Sequence, residues 1–454
     1  MVAYSFVNGQ YTYTGSPFDD QFFLSAANGS LTVFASSGAD YIRSGSYNDY
    51  IYGSEGTDYI YAGQGQDIVF GDGGNDILSG DTDNGTGIIV TDFQRDTIYG
   101  GLGNDYLRLT YNDIGYGNAG DDTYDLKDFY GAVPLINENA NEGIDTVGIT
   151  GSSNQPVNWY YMQANFENLN LGEYSFNGVG NDSDNIIIGN TLSNIIYGNQ
   201  GNDTLSGGDG QDALYGGDGN DTIFGGSDND ILVGNDGRDI LVGDGGADSM
   251  TGGLGDDLYS VDNVGDTVIE DANSGYDEVY STINFILPEN TETLFLIGSA
   301  VSGTGNSANN AIIGNELDNI LDAGAGTFEF INGGGGNDVI IGGAGHDEMM
   351  GGAGADKFFY RSASEGSDFI YDFTPGIDKF DISSSGFQVN SIVDGINFIN
   401  GSAPTATTSG PTFLYNNQFG YLFYDVDGIG SQSPTVIALL NGVPNITASD
   451  FLIH

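Results

Sequence analysis

From Gly198 to Ser260 the chain repeats every nine residues without a gap, as GNQGNDTLS, GGDGQDALY, GGDGNDTIF, GGSDNDILV, GNDGRDILV, GDGGADSMT and GGLGDDLYS. Position six is always Asp: Asp203, Asp212, Asp221, Asp230, Asp239, Asp248 and Asp257. Position eight is always large: Leu205, Leu214, Ile223, Leu232, Leu241, Met250 and Tyr259. Gly at positions one, two and four lets the chain reverse tightly, so positions one to six read as a turn. Positions seven to nine read as a short strand, with position eight pointing inward and its neighbours outward. Two units then close one coil of eighteen residues, with strands alternating between two parallel sheets around a thin apolar core.

Turns one coil apart stack on the same edge, which places carboxylates in columns. Asp203, Asp221, Asp239 and Asp257 share one edge, and Asp212, Asp230 and Asp248 the other. Strands lie about 4.8 Å apart, so bare carboxylates in file would repel one another. The columns call for a cation. Carboxylates and turn carbonyls are hard oxygen donors that suit Ca²⁺, whereas Mg²⁺ holds its water and a stricter octahedron. Zn²⁺ and Cu²⁺ prefer Cys and His, and the chain has no Cys and only two His. A preference of Asp for turns explains Asp near Gly, but not Asp at one phase in nine.

The same phase appears in two other stretches. Asp40, Asp49, Asp58, Asp67 and Asp76 are nine apart, and an insertion from about residue 80 to 91 precedes Asp96 and Asp105. The count slips by one at Asp113 and ends at Asp122. A third stretch carries Asp338, Asp347 and Asp356. Units such as GNTLSNIIY (189–197) and GNELDNILD (314–322) hold Asn at position six and read as structural coils with weaker or no ion binding. Between the stretches lie two echoing segments: Glu142-Gly143-Ile144-Asp145 matches Ser274-Gly275-Tyr276-Asp277, and Phe166-Glu167 matches Thr291-Glu292.

The pattern GGxGxDxUx resembles the repeat of the RTX (repeats-in-toxin) calcium-binding family. The resemblance implies an all-β chain of parallel β-roll blocks, with several Ca²⁺ ions between successive turns. It implies these divisions: an amino-terminal strand or arm over 1–14, a first RTX roll over 15–125, a spacer module over 126–180 and a second roll over 181–260. A second spacer over 261–304, a third roll over 305–360 and a carboxy-terminal domain over 361–454 follow. The expected metal ligands are the position-six aspartates: Asp40, Asp49, Asp58, Asp67, Asp76, Asp96, Asp105, Asp122, Asp203, Asp212, Asp221, Asp230, Asp239, Asp248, Asp257, Asp338, Asp347 and Asp356. The stretch from Gly351 to Phe358, with Asp372-Phe373 and Asp378-Lys379-Phe380 after it, resembles the carboxy-terminal region of serralysin-type secreted proteases. The ending Asp450-Phe451-Leu452-Ile453 resembles a type I secretion signal, which implies export from a Gram-negative cell through that machinery. The amino terminus has neither a basic nor an apolar segment of the signal-peptide kind, so a cleaved leader is not expected.

Charge narrows the partners. With 64 acidic against 8 basic residues, the formal charge is −56. That excludes ordinary nucleic-acid binding and disfavours anionic membrane surfaces, and no apolar run is long enough to insert. No catalytic constellation is visible: there is no HExxH and no GxSxG elbow, and His346 reads as an exposed turn residue. Trp159, beside Tyr160 and Tyr161, reads as a core anchor, with stacking on a sugar as the alternative. The expected function is therefore non-enzymatic: a secreted, extracellular or cell-surface protein that folds on Ca²⁺ and associates with itself in a surface layer, sheath or filament. The alternative is a Ca²⁺-dependent adhesion or polysaccharide-binding module, and a third reading is an enzyme whose site is not recognisable.

Overall fold

The computed structural model describes residues 3–7, 10–24, 28–83, 89–127, 133–150 and 158–454. Parts of the expected insertion (84–88) and of the first spacer (128–132, 151–157) lie outside them. The chain divides into two compact units, Met1–Asp236 and Gly237–His454, and each is a parallel β-solenoid.

In the first unit the eighteen-residue coil is the register itself. Tyr41 pairs with Tyr59 and Tyr59 with Ile77, while on the opposite face Tyr50 pairs with Ile68. The same spacing returns where Thr204 pairs with Thr222 and Ala213 with Ile231. Position eight points inward as its alternation requires: Ile42, Ile51, Ile60, Leu205, Leu214, Ile223 and Leu232 are all fully buried. Each such side chain contributes about 1.5–3 kcal/mol by leaving water. The strands exceed the three residues expected. Thr204–Asp209, Ala213–Asp218 and Thr222–Ser227 each run on through positions one to three of the next unit. Glycine permits this. Gly208 sits at φ +106°, and a Cβ there would lie 2.3 Å from the Asn190 carbonyl oxygen one coil earlier.

The first unit begins with a hairpin. Ala3–Val7 folds antiparallel onto Gln10–Thr14, which in turn runs parallel to Leu31–Phe34. The arm thus covers the first edge of that sheet. The insertion leaves the ladder as a short antiparallel pair, Thr82–Asp83 with Ile89–Val90, and the coil closes beyond it where Ile68 pairs with Thr97. The spacer is not separate from the rolls. Thr146–Ile149 pairs with Thr123–Lys127 on one side and Asn168–Leu171 on the other, and the latter pairs with Ile186–Asn190.

The second unit repeats this plan. Leu258–Val261, Glu278–Ser281, Thr293–Leu296, Ala311–Ile313, Phe330–Asn332, Glu348–Met350 and Asp368–Ile370 form one continuous parallel ladder, so its spacer also lies within the solenoid. The opposite face climbs from Phe285–Ile286 to Lys379–Ile382 and closes with the terminal strand Phe451–Ile453. The last stretch departs from the coil. Thr412–Asn416, Tyr421–Asp425 and Thr435–Leu440 form an antiparallel meander, with Phe387, Phe398 and Phe413 buried beneath it.

Trp159 corrects an expectation. It is 40% exposed on an outer face, stacked on Tyr161 and Tyr197 with ring centroids 6.2 Å away in each case. Alternation decides this, because Tyr160 takes the inward position. His346 is exposed in its turn as expected, with Nδ1 3.3 Å from the Ser367 hydroxyl.

Candidate metal centre

Every expected position-six ligand is buried, none more than 2% exposed. The turn brings the carboxylate back under its own coil, where one oxygen joins the ladder. Oδ1 of Asp58 accepts the Asp40 N–H at 2.8 Å, and Oδ1 of Asp76 accepts the Asp58 N–H at 2.8 Å. The same link joins Asp67 to Asp49, Asp96 to Asp67, Asp105 to Asp76 and Asp122 to Asp105. Asp40 and Asp49 start their files by accepting from the Asp20 and Leu31 N–H groups. Further along, Asp203 accepts from Asn185, Asp221 from Asp203, Asp212 from Asn194 and Asp230 from Asp212. In the second unit Asp257 accepts from Asp239, Asp338 from Asn319, Asp356 from Asp338 and Asp347 from Glu329. Asp239 and Asp248 are buried at the start of that unit's columns.

The other oxygen is the informative one. Oδ2 of Asp40, Asp58, Asp67, Asp76, Asp105, Asp122, Asp203, Asp212, Asp257, Asp338, Asp347 and Asp356 is buried with no hydrogen-bond partner. An orphaned buried acceptor costs about 1–3 kcal/mol, and more when charged. Except at Asp40 and Asp67, where position one is Ala35 and Ala62, each Oδ2 faces a small cradle over the position-one glycine. A Cβ built on Gly53 would lie 2.4 Å from Asp58 Oδ2 and 2.9 Å from the Gly71 carbonyl oxygen of the next coil. At Gly198 the corresponding distances are 2.2 Å to Asp203 Oδ2 and 2.6 Å to the Gly216 carbonyl, and at Gly333 they are 2.3 Å to Asp338 Oδ2 and 2.4 Å to the Gly351 carbonyl. Carboxylate and carbonyl oxygens converging on one point are the donor set of a hard cation, so the residues fit Ca²⁺.

Electrostatics agree with the geometry. Burial pushes the carboxyls of Asp58, Asp122 and Asp203 up to about 7, and those of Asp67, Asp105 and Asp257 up to about 8. The backbone hydrogen bond to Oδ1 pulls in the opposite direction, and neighbouring aspartates in the file raise the value further. A cation between turns would reverse this by stabilising the charged form.

In the asparagine coils, side-chain amides serve the turn carbonyls. Asn194 Nδ2 donates to the Ser175 carbonyl at 3.2 Å and the Phe176 carbonyl at 2.7 Å, and its Oδ1 accepts the Asn190 N–H at 2.9 Å. Asn190 Nδ2 bridges the Gly172 and Ser175 carbonyls at 2.7 Å each. Asn306 and Asn310 repeat the pattern in the second unit, both donating to the Thr291 carbonyl. The amide supplies donors to turn carbonyls that a cation would otherwise serve.

The columns also contain carboxylates outside the expected ligand set, Asp113 among them although the sequence marks it as a one-residue slip. Asp96 N–H donates to Asp113, Asp122 N–H to Asp145, Asp257 N–H to Asp277, Asp347 N–H to Asp368 and Asp356 N–H to Asp378, across 17, 23, 20, 21 and 22 residues respectively. Those coil lengths are not multiples of nine, so the period loses them. Asp266 differs: it accepts from Asp248 across 18 residues, in phase, with Val268 buried two residues on.

Residues 34–69, 55–87, 82–109, 179–214, 188–223, 197–232, 224–259 and 328–358 match the family model of the RTX calcium-binding nonapeptide repeat. No curated protein matches the chain. Buried carboxylate columns, glycine cradles and matched repeats coincide, and the chain is therefore a bearer of several copies of the RTX calcium-binding nonapeptide repeat, whose repeats bind Ca²⁺.

Proposed function

We propose that this is a secreted structural protein of the cell exterior, unfolded during export and folded by Ca²⁺ outside, which assembles with copies of itself into a layer, sheath or filament. The position-six aspartates from Asp40 to Asp356 are its ion ligands in this reading. The observation that carries it is the set of buried, unpartnered Oδ2 atoms in a chain of charge −56. Buried bare carboxylate oxygens call for a cation, and millimolar extracellular Ca²⁺ suffices for it, since extracellular modules bind at about 10⁻⁴ to 10⁻³ M. RTX repeats are typical of secreted proteins, and among the described residues no helix is long and apolar enough to cross a membrane. Repeats and solenoid favour a structural or toxin-like, non-catalytic role. Self-association draws support from apolar outer faces: in the first unit Ile186 and Ile188 are each 47% exposed and Ile231 48%. Export through the type I machinery, which the carboxy-terminal resemblance suggests, would require reading Asp450–Ile453 before folding, because Asp450 is buried here and accepts the Gly376 N–H at 2.8 Å.

Electron microscopy of the protein refolded with and without Ca²⁺ tests assembly. Ordered polymers that dissolve on chelation support it, and a monomer at high concentration in Ca²⁺ sinks it. One observation favours polysaccharide recognition as a second reading. An open cleft of about 580 Å³ in the first unit is lined by Trp159, Phe176, Asn158, Asn177, Ser193 and Gln211, an aromatic platform flanked by amides. Glycan binding abolished by Trp159→Ala, with Ca²⁺ folding intact, would support that reading.

A further inference from the structure

Where a roll runs into a spacer coil, the same side chains recur in both units. In the first, the Asp122 N–H donates to Asp145 Oδ1 at 2.8 Å and the Asp145 N–H to Glu167 Oε2 at 2.7 Å. In the second, the Asp257 N–H donates to Asp277 Oδ1 at 2.9 Å and the Asp277 N–H to Glu292 Oε2 at 2.8 Å. A tyrosine from the end of the roll and a glutamate from the spacer complete each junction. The Tyr124 hydroxyl accepts the Gly117 N–H and donates to Glu138 Oε1. The Tyr259 hydroxyl accepts the Gly252 N–H at 2.6 Å and donates to Glu270 Oε1. As a result, ligand oxygens of Asp122, Glu138 and Asp145 lie within 4.8 Å of one another, and so do those of Asp257, Glu270 and Asp277.

Proximity of acids alone would mean little, but the orphaned oxygens point at a ligand. Asp122 Oδ2, Asp257 Oδ2 and Asp277 Oδ2 have no partner, on residues at most 1% exposed. At each junction the bare oxygen of the repeat aspartate, Asp122 or Asp257, converges with a glutamate oxygen. A Cβ on Gly252 would lie 2.1 Å from Asp257 Oδ2, 2.3 Å from Tyr259 Oη and 2.6 Å from Glu270 Oε1; on Gly117 it would lie 2.1 Å from Asp122 Oδ2 and 2.4 Å from Glu138 Oε1. The acidic group at the insertion is different in kind. Asp81 already accepts from the Asp92 N–H at 3.0 Å and the Thr110 hydroxyl at 2.5 Å, and Asp92 accepts the Gly65 N–H at 2.6 Å.

We propose that the two junctions are a second class of cation site, each joining three carboxylates around one Ca²⁺ at the end of a roll. The inference rests on the calcium-folded reading above and adds a distinction within it. A between-turn cradle offers one aspartate oxygen and a neighbouring carbonyl, whereas a junction gathers three carboxylates. Ligand charge count sets Ca²⁺ affinity, so the junction ions are held at least about tenfold more tightly than the between-turn ions. They anchor the last repeat coil onto the spacer, using glutamates that no nine-residue count includes.

Equilibrium dialysis of the full chain against buffered Ca²⁺ measures this. Expected is a tightly held class that loses one ion in Glu138→Gln, one in Glu270→Gln and two in the double variant, with the weaker class retained. Unchanged tight binding in the double variant overturns the proposal. Anomalous diffraction from the wild-type protein crystallised with Tb³⁺ decides the matter even if a variant fails to fold. Ions beside Glu138 and Glu270 support the proposal, and ions between turns with none at the junctions overturn it. A protein that folds with no ion at either kind of site defeats the calcium-folded reading instead.

Discussion

Stripping Ca²⁺ and lowering the pH should fold the rolls. The carboxyls of Asp58, Asp122, Asp203 and Asp277 stand at about 7 in the folded chain against 3.8 for a free aspartate, chiefly through burial. All four are at most 1% exposed, so solvent screens them little. A folded value raised above the unfolded one means that the folded state binds more protons. The stabilisation is full below 3.8 and is lost as the pH rises through about 7. Between pH 8 and pH 5 each such carboxyl gains about 2.7 kcal/mol for the ion-free fold. Neighbours in one file share their repulsion, so the gains do not add in full. Even in part they are comparable with the roughly 5–15 kcal/mol that separates folded from unfolded domains. Far-UV circular dichroism of Ca²⁺-stripped protein should show β structure rising as the pH falls from 8 to 5. With Ca²⁺ present the order reverses, because protons compete for the same oxygens, and the Ca²⁺ concentration for half-folding should rise below pH 7. If the stripped protein is equally unfolded at pH 5 and pH 8 while millimolar Ca²⁺ folds it at pH 8, the buried columns are not what opposes folding.

Other outcomes follow from single positions. Gly53→Ala fills the cradle between Asp58 Oδ2 and the Gly71 carbonyl; it should remove one ion from the saturating count and cost about 1–3 kcal/mol, whereas Gly401→Ala, with nothing within 4 Å, should do neither. Asn194→Asp exchanges a donor for a carboxylate beneath the Ser175 and Phe176 carbonyls, and should add one Ca²⁺ by equilibrium dialysis. Asn194→Ala should leave the ion count unchanged and lose about 1–3 kcal/mol in denaturant titration, because those carbonyls lose their donor. Leu214→Ala, at a fully buried position eight, should lower stability in Ca²⁺ by about 2–5 kcal/mol.

Much of this protein was legible from period and residue type alone. A strand alternates strictly, so a large residue at one phase in nine must face inward, as Leu205, Leu214 and Ile223 do. Equal spacing likewise dictates that Asp203 and Asp221 fall in one file. The exchange of Asp for Asn at position six announced coils of a different chemistry, although only the contacts of Asn194 and Asn310 show amides serving carbonyls. What the tertiary structure decided lies where coil length departs from eighteen. The ladder needs only that backbone groups meet at strand spacing, so a turn can lengthen without breaking it. Asp145 therefore stays in file across a coil of 23 residues, and Asp277 across one of 20. Glu138 and Glu270 reach the columns from turns that no periodicity marks, because their place depends on how a longer loop folds back over its neighbour. The division of labour within each carboxylate, one oxygen on a backbone N–H and the other left bare, is a matter of three-dimensional aim that residue type leaves open.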